Sequence, residues 1–103
     1  MRKTKIKTHP YDSAKYLNSI EARTAYLTEA FETGDASFIT QALGTVARAR
    51  GMSGVARKAG LSRENLYRSL NGETKTELET VMRVLKALGI SLSATARETT
   101  ESH

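Results

Sequence analysis

The sequence predicts an all-α fold: a helix-turn-helix bundle over residues 35–89, with an N-terminal helical extension at 11–34 and a short C-terminal strand at 90–97. Three observations lead there. Apolar residues recur at three- and four-residue spacing over most of the chain. Gly34, Gly51, Gly60, Gly72 and Gly89 punctuate that pattern at intervals of helical length. Gly60, Leu61 and Ser62 separate two segments too short to be anything but the halves of a compact turn motif.

Residues 1–10 hold Arg2, Lys3, Lys5 and Lys7 without an acid and close on the sole proline, Pro10, so they read as a basic flexible leader. Asp12 is placed to cap a short helix reaching about Leu17. Asn18 with Glu21 has the form of a capping box opening a helix with Ile20, Thr24, Leu27 and Phe31 on one face and Gly34 as its stop. Asp35 caps the next helix, whose inner stripe is Phe38, Ile39, Ala42, Leu43, Val46 and Ala47 and which ends at Gly51.

Ser53 is expected to cap a short helix containing Val55, Ala56 and Ala59, and Ser62 a second one running to about Leu70. Leu61, Leu66, Leu70, Leu78, Met82 and Leu85 read as core, joined by Met52. The last helix opens at Thr74 with Glu77 or at Thr76 with Glu79, both registers having the capping-box form, and carries Leu78, Val81, Met82, Leu85 and Leu88. Beyond Gly89, Ile90, Leu92, Ala94 and Ala96 alternate with polar residues, the period of a strand. A lone strand needs a partner, so residues 90–97 are read as a joint to a second copy, and 98–103 as a disordered tail.

Composition bounds the function. The 103 residues suit one hydrophobic core. With 39% hydrophobic and 26% charged residues, no stretch approaches the ~18 apolar residues of a membrane span, and the cytoplasm is the expected location. The absence of cysteine rules out disulfides and thiolate chemistry. His9 in the leader and His103 at the end fit no metal-ligand spacing, and neither a phosphate loop nor a nucleophile elbow occurs, so neither cofactor, metal nor enzymatic activity is expected.

The net charge of +5 is unevenly spread. Residues 11–35 set Lys15 and Arg23 against Asp12, Glu21, Glu29, Glu32 and Asp35, either a solvated face or a surface complementary to a basic partner. Between positions 48 and 68, Arg48, Arg50, Arg57, Lys58, Arg63 and Arg68 face Glu64 alone, the local excess that a polyanion attracts. If Leu66 and Leu70 point inward, the opposite face of their helix centres on Glu64 and Arg68, flanked by Asn65, Tyr67 and Asn71, with Arg63 near the start. Arginine bonds bidentately to guanine O6 and N7 and glutamate accepts from cytosine N4, so this face has the chemistry of a DNA reader. The plain alternative is a solvated helix face with Glu64 and Arg68 as an i,i+4 pair. Tyr67 is equally readable as a half-buried aromatic.

The string GMSGVARKAGLSRENLYRSLNG, followed by TVMRVLKALGISL, resembles the antidote proteins of bacterial addiction modules with Xre/Cro-like DNA-binding domains, and the likeness extends over about residues 10 to 93, taking in Tyr26, Leu27, Gly34, Asp35 and the stretch from Val46 to Gly51. The resemblance implies a lambda-repressor-like fold, binding to a RelE/ParE-like toxin, and repression of the shared operon through operator DNA; one domain offers few DNA contacts, so a homodimer is expected. It implies Arg63, Glu64 and Arg68 as base readers, with Ser62, Asn65 and Tyr67 nearer the backbone. Arg57 and Lys58 are expected to meet phosphates. Two departures stand out: Gly54 replaces a glutamine that often braces the recognition helix against a phosphate, and Glu73-Thr74-Lys75 replaces a frequent asparagine-proline turn. Other readings of this sequence are a protein-interaction module without useful DNA binding and a stand-alone regulator.

Overall fold

A computed structural model describes residues 17–97 and contains five helices: α1 (Ile20–Thr33), α2 (Ala36–Arg50), α3 (Met52–Ala59), α4 (Arg63–Ser69) and α5 (Leu78–Leu88). The expected leader at 1–10, the segment Asp12 to Tyr16 of the first predicted helix and the tail at 98–103 lie outside the described residues. None of the described helices is long and apolar enough to cross a membrane.

Local chemistry accounts for most helix ends. Asp35 Oδ1 accepts from the Phe38 amide at 3.1 Å and Ser62 Oγ from the Asn65 amide at 3.0 Å, each satisfying a donor that the first turn leaves free. The start of α1 differs from expectation by one residue. Ser19, not Asn18, is the cap, its Oγ accepting from the Ala22 amide at 3.1 Å, so the Asn18–Glu21 box does not form. Ser53 is not a cap either. Helix α3 starts at Met52 directly after Gly51, whose φ of 113° turns the chain out of α2 and into α3 without a side-chain cap.

Neither capping box assigned to α5 forms; its N-cap is Glu77, without a side-chain bond. The threonines are engaged elsewhere: the Thr74 amide donates to Asn71 Oδ1 at 3.1 Å, and the Thr76 hydroxyl donates to the Ser69 carbonyl. Together with the Ser37 hydroxyl on the Gly72 carbonyl, these bonds tie the long α4–α5 connection to the body.

Helix α1 lies on α2, α2 packs on α3 and α5, and α3 sits between α5 and α4. Leu27, Leu43, Val46, Val55, Leu66, Val84 and Leu85 form the centre of the core, and Leu17 is sealed beneath the start of α1, its carbonyl accepting from Arg23 Nη1 at 3.1 Å. Met52 joins the core as expected, and Leu61 packs at its edge.

Three residues expected inside are not. Phe38 is 46% exposed, Leu78 68% and Met82 45%. The buried stripe of α5 is instead Val81, Val84, Leu85 and Leu88, with Val84 completely enclosed. At about 100° per residue, Met82 is more than a quarter turn from the middle of that stripe. Phe38 and Leu78 occupy first turns, with the helix core face carried by later residues.

Residues 91–97 form neither helix nor strand, which corrects the expected C-terminal strand. Alternation gives a segment the side-chain pattern of a strand, but a strand also needs a neighbouring backbone, and the described residues of one copy offer no other extended segment.

Helical glycines divide into two kinds. A Cβ at Gly44 would stand 2.8 Å from the Leu70 carbonyl oxygen, whereas one at Gly54 would meet nothing within 4 Å. Gly44→Ala is therefore expected to force α2 from the end of α4 and lower stability by about 1–2 kcal/mol, overpacking outweighing the gain in helix propensity. Gly54→Ala is expected to raise stability by about 0.5–1 kcal/mol. Urea unfolding of the two variants beside the wild type reads both signs.

Candidate nucleic-acid interface

The turn between α3 and α4 follows from backbone bonding. The Gly60 amide donates to the Arg57 carbonyl at 3.2 Å and the Leu61 amide to the Ala56 carbonyl at 2.9 Å, the paired bonds of a Schellman ending. Such an ending needs a left-handed residue, and Gly60 has φ 75°, a conformation that a side chain disfavours. Leu61 then turns toward the core, Ser62 caps α4, and buried Ala56 keeps the facing surface small. The two short helices thus meet across a tight turn built on Gly60.

Helix α4 buries Leu66 completely and is followed by buried Leu70. Arg63, Glu64, Asn65, Tyr67 and Arg68 are all exposed. Two of them are already arranged by neighbours. The Arg63 guanidinium lies over the Tyr67 ring, 5.7 Å from its centroid, one helical turn along. Arg68 Nη1 donates to Asn65 Oδ1 at 2.7 Å. The alternative pairing of Glu64 with Arg68 is not made, so among the described residues Glu64 has no ion-pair partner. Tyr67 is 43% exposed, as a half-buried aromatic is, and its ring backs Arg63 at the surface.

Arg57 and Lys58 occupy the last turn of α3, both exposed and close in sequence to the turn. Ser62 Oγ is occupied as an acceptor by the Asn65 amide, but its hydroxyl proton remains free to donate. All eight predicted residues, Arg57, Lys58, Ser62, Arg63, Glu64, Asn65, Tyr67 and Arg68, therefore fall on one continuous stretch from the end of α3 through α4, and each is exposed.

Two further cations reach this region: Arg48, which belongs to the cationic stretch from 48 to 68, and Arg83, which carried no sequence signal. Arg48 of α2 has Nη1 3.4 Å from the Cβ position of Gly44, where α2 meets the Leu70 carbonyl, and its Nη2 donates to Thr45 Oγ1 at 3.3 Å. Arg83 of α5 has Nη1 3.9 Å from the Cβ position of Gly60, at the turn itself, and its Nη2 pairs with Glu79 at 3.2 Å. Tertiary packing brings Arg83 to a turn 23 positions away in the chain, which no local pattern predicts. Among the described residues no group of three or more His, Cys, Asp and Glu is assembled to hold a metal ion. His9 and His103 lie outside the described residues.

The arrangement offers a row of hydrogen-bond donors and acceptors on a short exposed helix with cations at its edges, the equipment for positioning on phosphates and reading base edges.

Comparison with known proteins bears on the whole chain. No solved structure matches it. A protein of Haemophilus influenzae, itself uncharacterised, is 45% identical over 80 residues, which cover 78% of this chain and 82% of that relative. The family of probable addiction module antidote proteins matches residues 7–96. That match covers the described fold from end to end, and the chain accordingly belongs to this family of antidote proteins, the antitoxin partners in addiction modules.

Proposed function

We propose that this antidote protein is also a sequence-specific transcriptional repressor of the Xre/Cro-like helix-turn-helix type, with a lambda-repressor-like fold, acting as a homodimer on operator DNA and neutralising a RelE/ParE-like toxin. The observation that carries the reading is the outward face of α4. A helix that buries only Leu66 and presents Arg63, Glu64, Asn65, Tyr67 and Arg68 to solvent has more reading chemistry than a purely structural helix requires.

In this reading Arg63, Glu64 and Arg68 meet base edges in the major groove. The Tyr67 ring beneath Arg63 and the Asn65 amide beside Arg68 restrict the two arginines, reducing the rotamer freedom lost on binding. Ser62 donates its free hydroxyl proton to a phosphate, Asn65 and Tyr67 lie near the backbone, and Arg57 and Lys58 neutralise phosphates. One domain supplies few such contacts, so two copies reading two half-sites about one DNA turn apart are needed for firm binding.

Gly54 favours a second reading, an interaction module that neutralises its toxin without useful DNA binding. Its place in α3 is open, so the bracing contact that a glutamine makes there in similar proteins has no counterpart.

Binding of the purified protein to the DNA upstream of its own gene, measured across a salt series, separates the two. Arg63→Ala and Arg68→Ala are each expected to cost about 1–3 kcal/mol on that DNA, roughly 5- to 150-fold, and to erase its advantage over random sequence. Lys58→Ala is expected to weaken both DNAs alike and to reduce the salt slope by about one unit. Wild-type protein with no preference for the upstream DNA would replace the repressor with the interaction module.

A further inference from the structure

We propose that the groove between α1 and residues 90–97 is the joint of the homodimer, occupied by the same groove of a second copy. The proposal rests on the homodimer of the reading above and supplies its interface.

The groove has a volume of about 500 Å³. Leu27 and Leu85 form its buried floor, and Phe31, Ile90 and Leu92 its walls, Leu92 being 42% exposed. Leu92 and parts of Phe31 and Ile90 face water there, and a partner that covers them recovers about 25 cal/mol per Å² of apolar surface.

Two further features select a second copy as that partner. The first is the backbone. After the Ile90 amide donates to the Leu85 carbonyl at 2.9 Å, residues 91–97 make no backbone–backbone bond among the described residues. They leave a row of donors and acceptors along the edge of an apolar slot, which another chain in extended form can satisfy.

The second is charge. Glu32 lines the groove from α1 and Arg97 from the C-terminal segment, and neither has an ion-pair partner among the described residues. In a two-fold contact residue i meets j and j meets i, so a Glu32 that faces Arg97 of the other copy forms the pair twice. A surface with one cation and one anion, both unpaired, is self-complementary.

The exposed apolar pair on α5 lacks this unpaired charge. Leu78 and Met82 stand on α5 beside Glu79 and Arg83, but those charges are already paired with each other at 3.2 Å.

Sedimentation of the full chain over a concentration series tests the joint without DNA or toxin, so its failure is separate from a failure of DNA recognition. The expected species is a dimer, with twice the 11.3 kDa chain mass. Glu32→Arg and Arg97→Glu are each expected to weaken it about tenfold, since either reversal replaces two attractions by two repulsions, and the two changes combined in one chain are expected to restore most of the loss. Leu92→Asp is expected to weaken it as well. Each site is exposed, and unchanged helicity and melting of the variant monomers certify that they fold.

A wild-type chain that stays monomeric at the highest concentration overturns the proposal, leaving the groove to the toxin or to the chain's own basic leader. A dimer that ignores both charge reversals and is broken by Met82→Asp overturns it in favour of α5. Failure of the double reversal to restore association overturns the Glu32–Arg97 pairing on which the proposal stands.

Discussion

A helix of seven residues does not hold together in water, because its few internal bonds do not offset the cost of starting the first turn. Helix α4 exists because Leu66 is sealed against α3 and Leu70 is drawn in behind it, to where the absence of a side chain at Gly44 lets its carbonyl approach α2. Everything proposed for the reading surface depends on that seal. It sets which side of α4 faces out, and over about two turns it leaves Arg63, Glu64, Asn65, Tyr67 and Arg68 exposed.

The seal also explains why polar side chains on α4 look after one another. A short helix on a small base cannot bury its arginines, and in free solution they lose orientation. Tyr67 and Asn65 provide inexpensive guides: a ring face for Arg63 and an amide oxygen for Arg68, each within one turn. Both contacts leave guanidinium donors unused. Glu64, with no cation claiming it among the described residues, keeps both oxygens free.

Charge divides the molecule as packing does. From Thr24 to Ala47 the chain has no lysine or arginine and holds Glu29, Glu32 and Asp35, while the stretch from Arg48 to Arg68 is cationic. Helix α1 rests on α2 whereas α4 has α3 as its main neighbour, so the carboxylates of α1 and the arginines of α4 stand on helices with different main neighbours. An antidote protein has more than one partner to satisfy in the proposed reading, and such a separation lets one face attract an anionic partner while the groove beside α1 is left for protein contacts.

Local chemistry was legible wherever a residue acts on its own neighbourhood. Asp35 and Ser62 as caps, Gly34, Gly60 and Gly89 as left-handed stops, and the inward Leu66 with the outward Arg63, Glu64 and Arg68 all follow from spacing of a few residues, and the structure has each of them. The misplacements share a cause. Asn18 and Ser19 both qualify as caps by type, and only the path of the chain from buried Leu17 selects Ser19. Thr74 and Thr76 qualify as caps too, but Asn71 and the Ser69 carbonyl take them first. Met82 and Val84 both fit a helical period, and which is buried depends on the angle at which α5 meets α3. The alternation after Gly89 was real, yet hydrogen bonds to a neighbouring strand cannot be read from one segment. The sequence by itself thus determined the helices, the turn and the face of α4, since these arise from interactions within a turn or two of backbone. Only the tertiary structure decided the α5 core, the approach of Arg83 to the turn and the groove beside α1, because each depends on where distant segments come to rest.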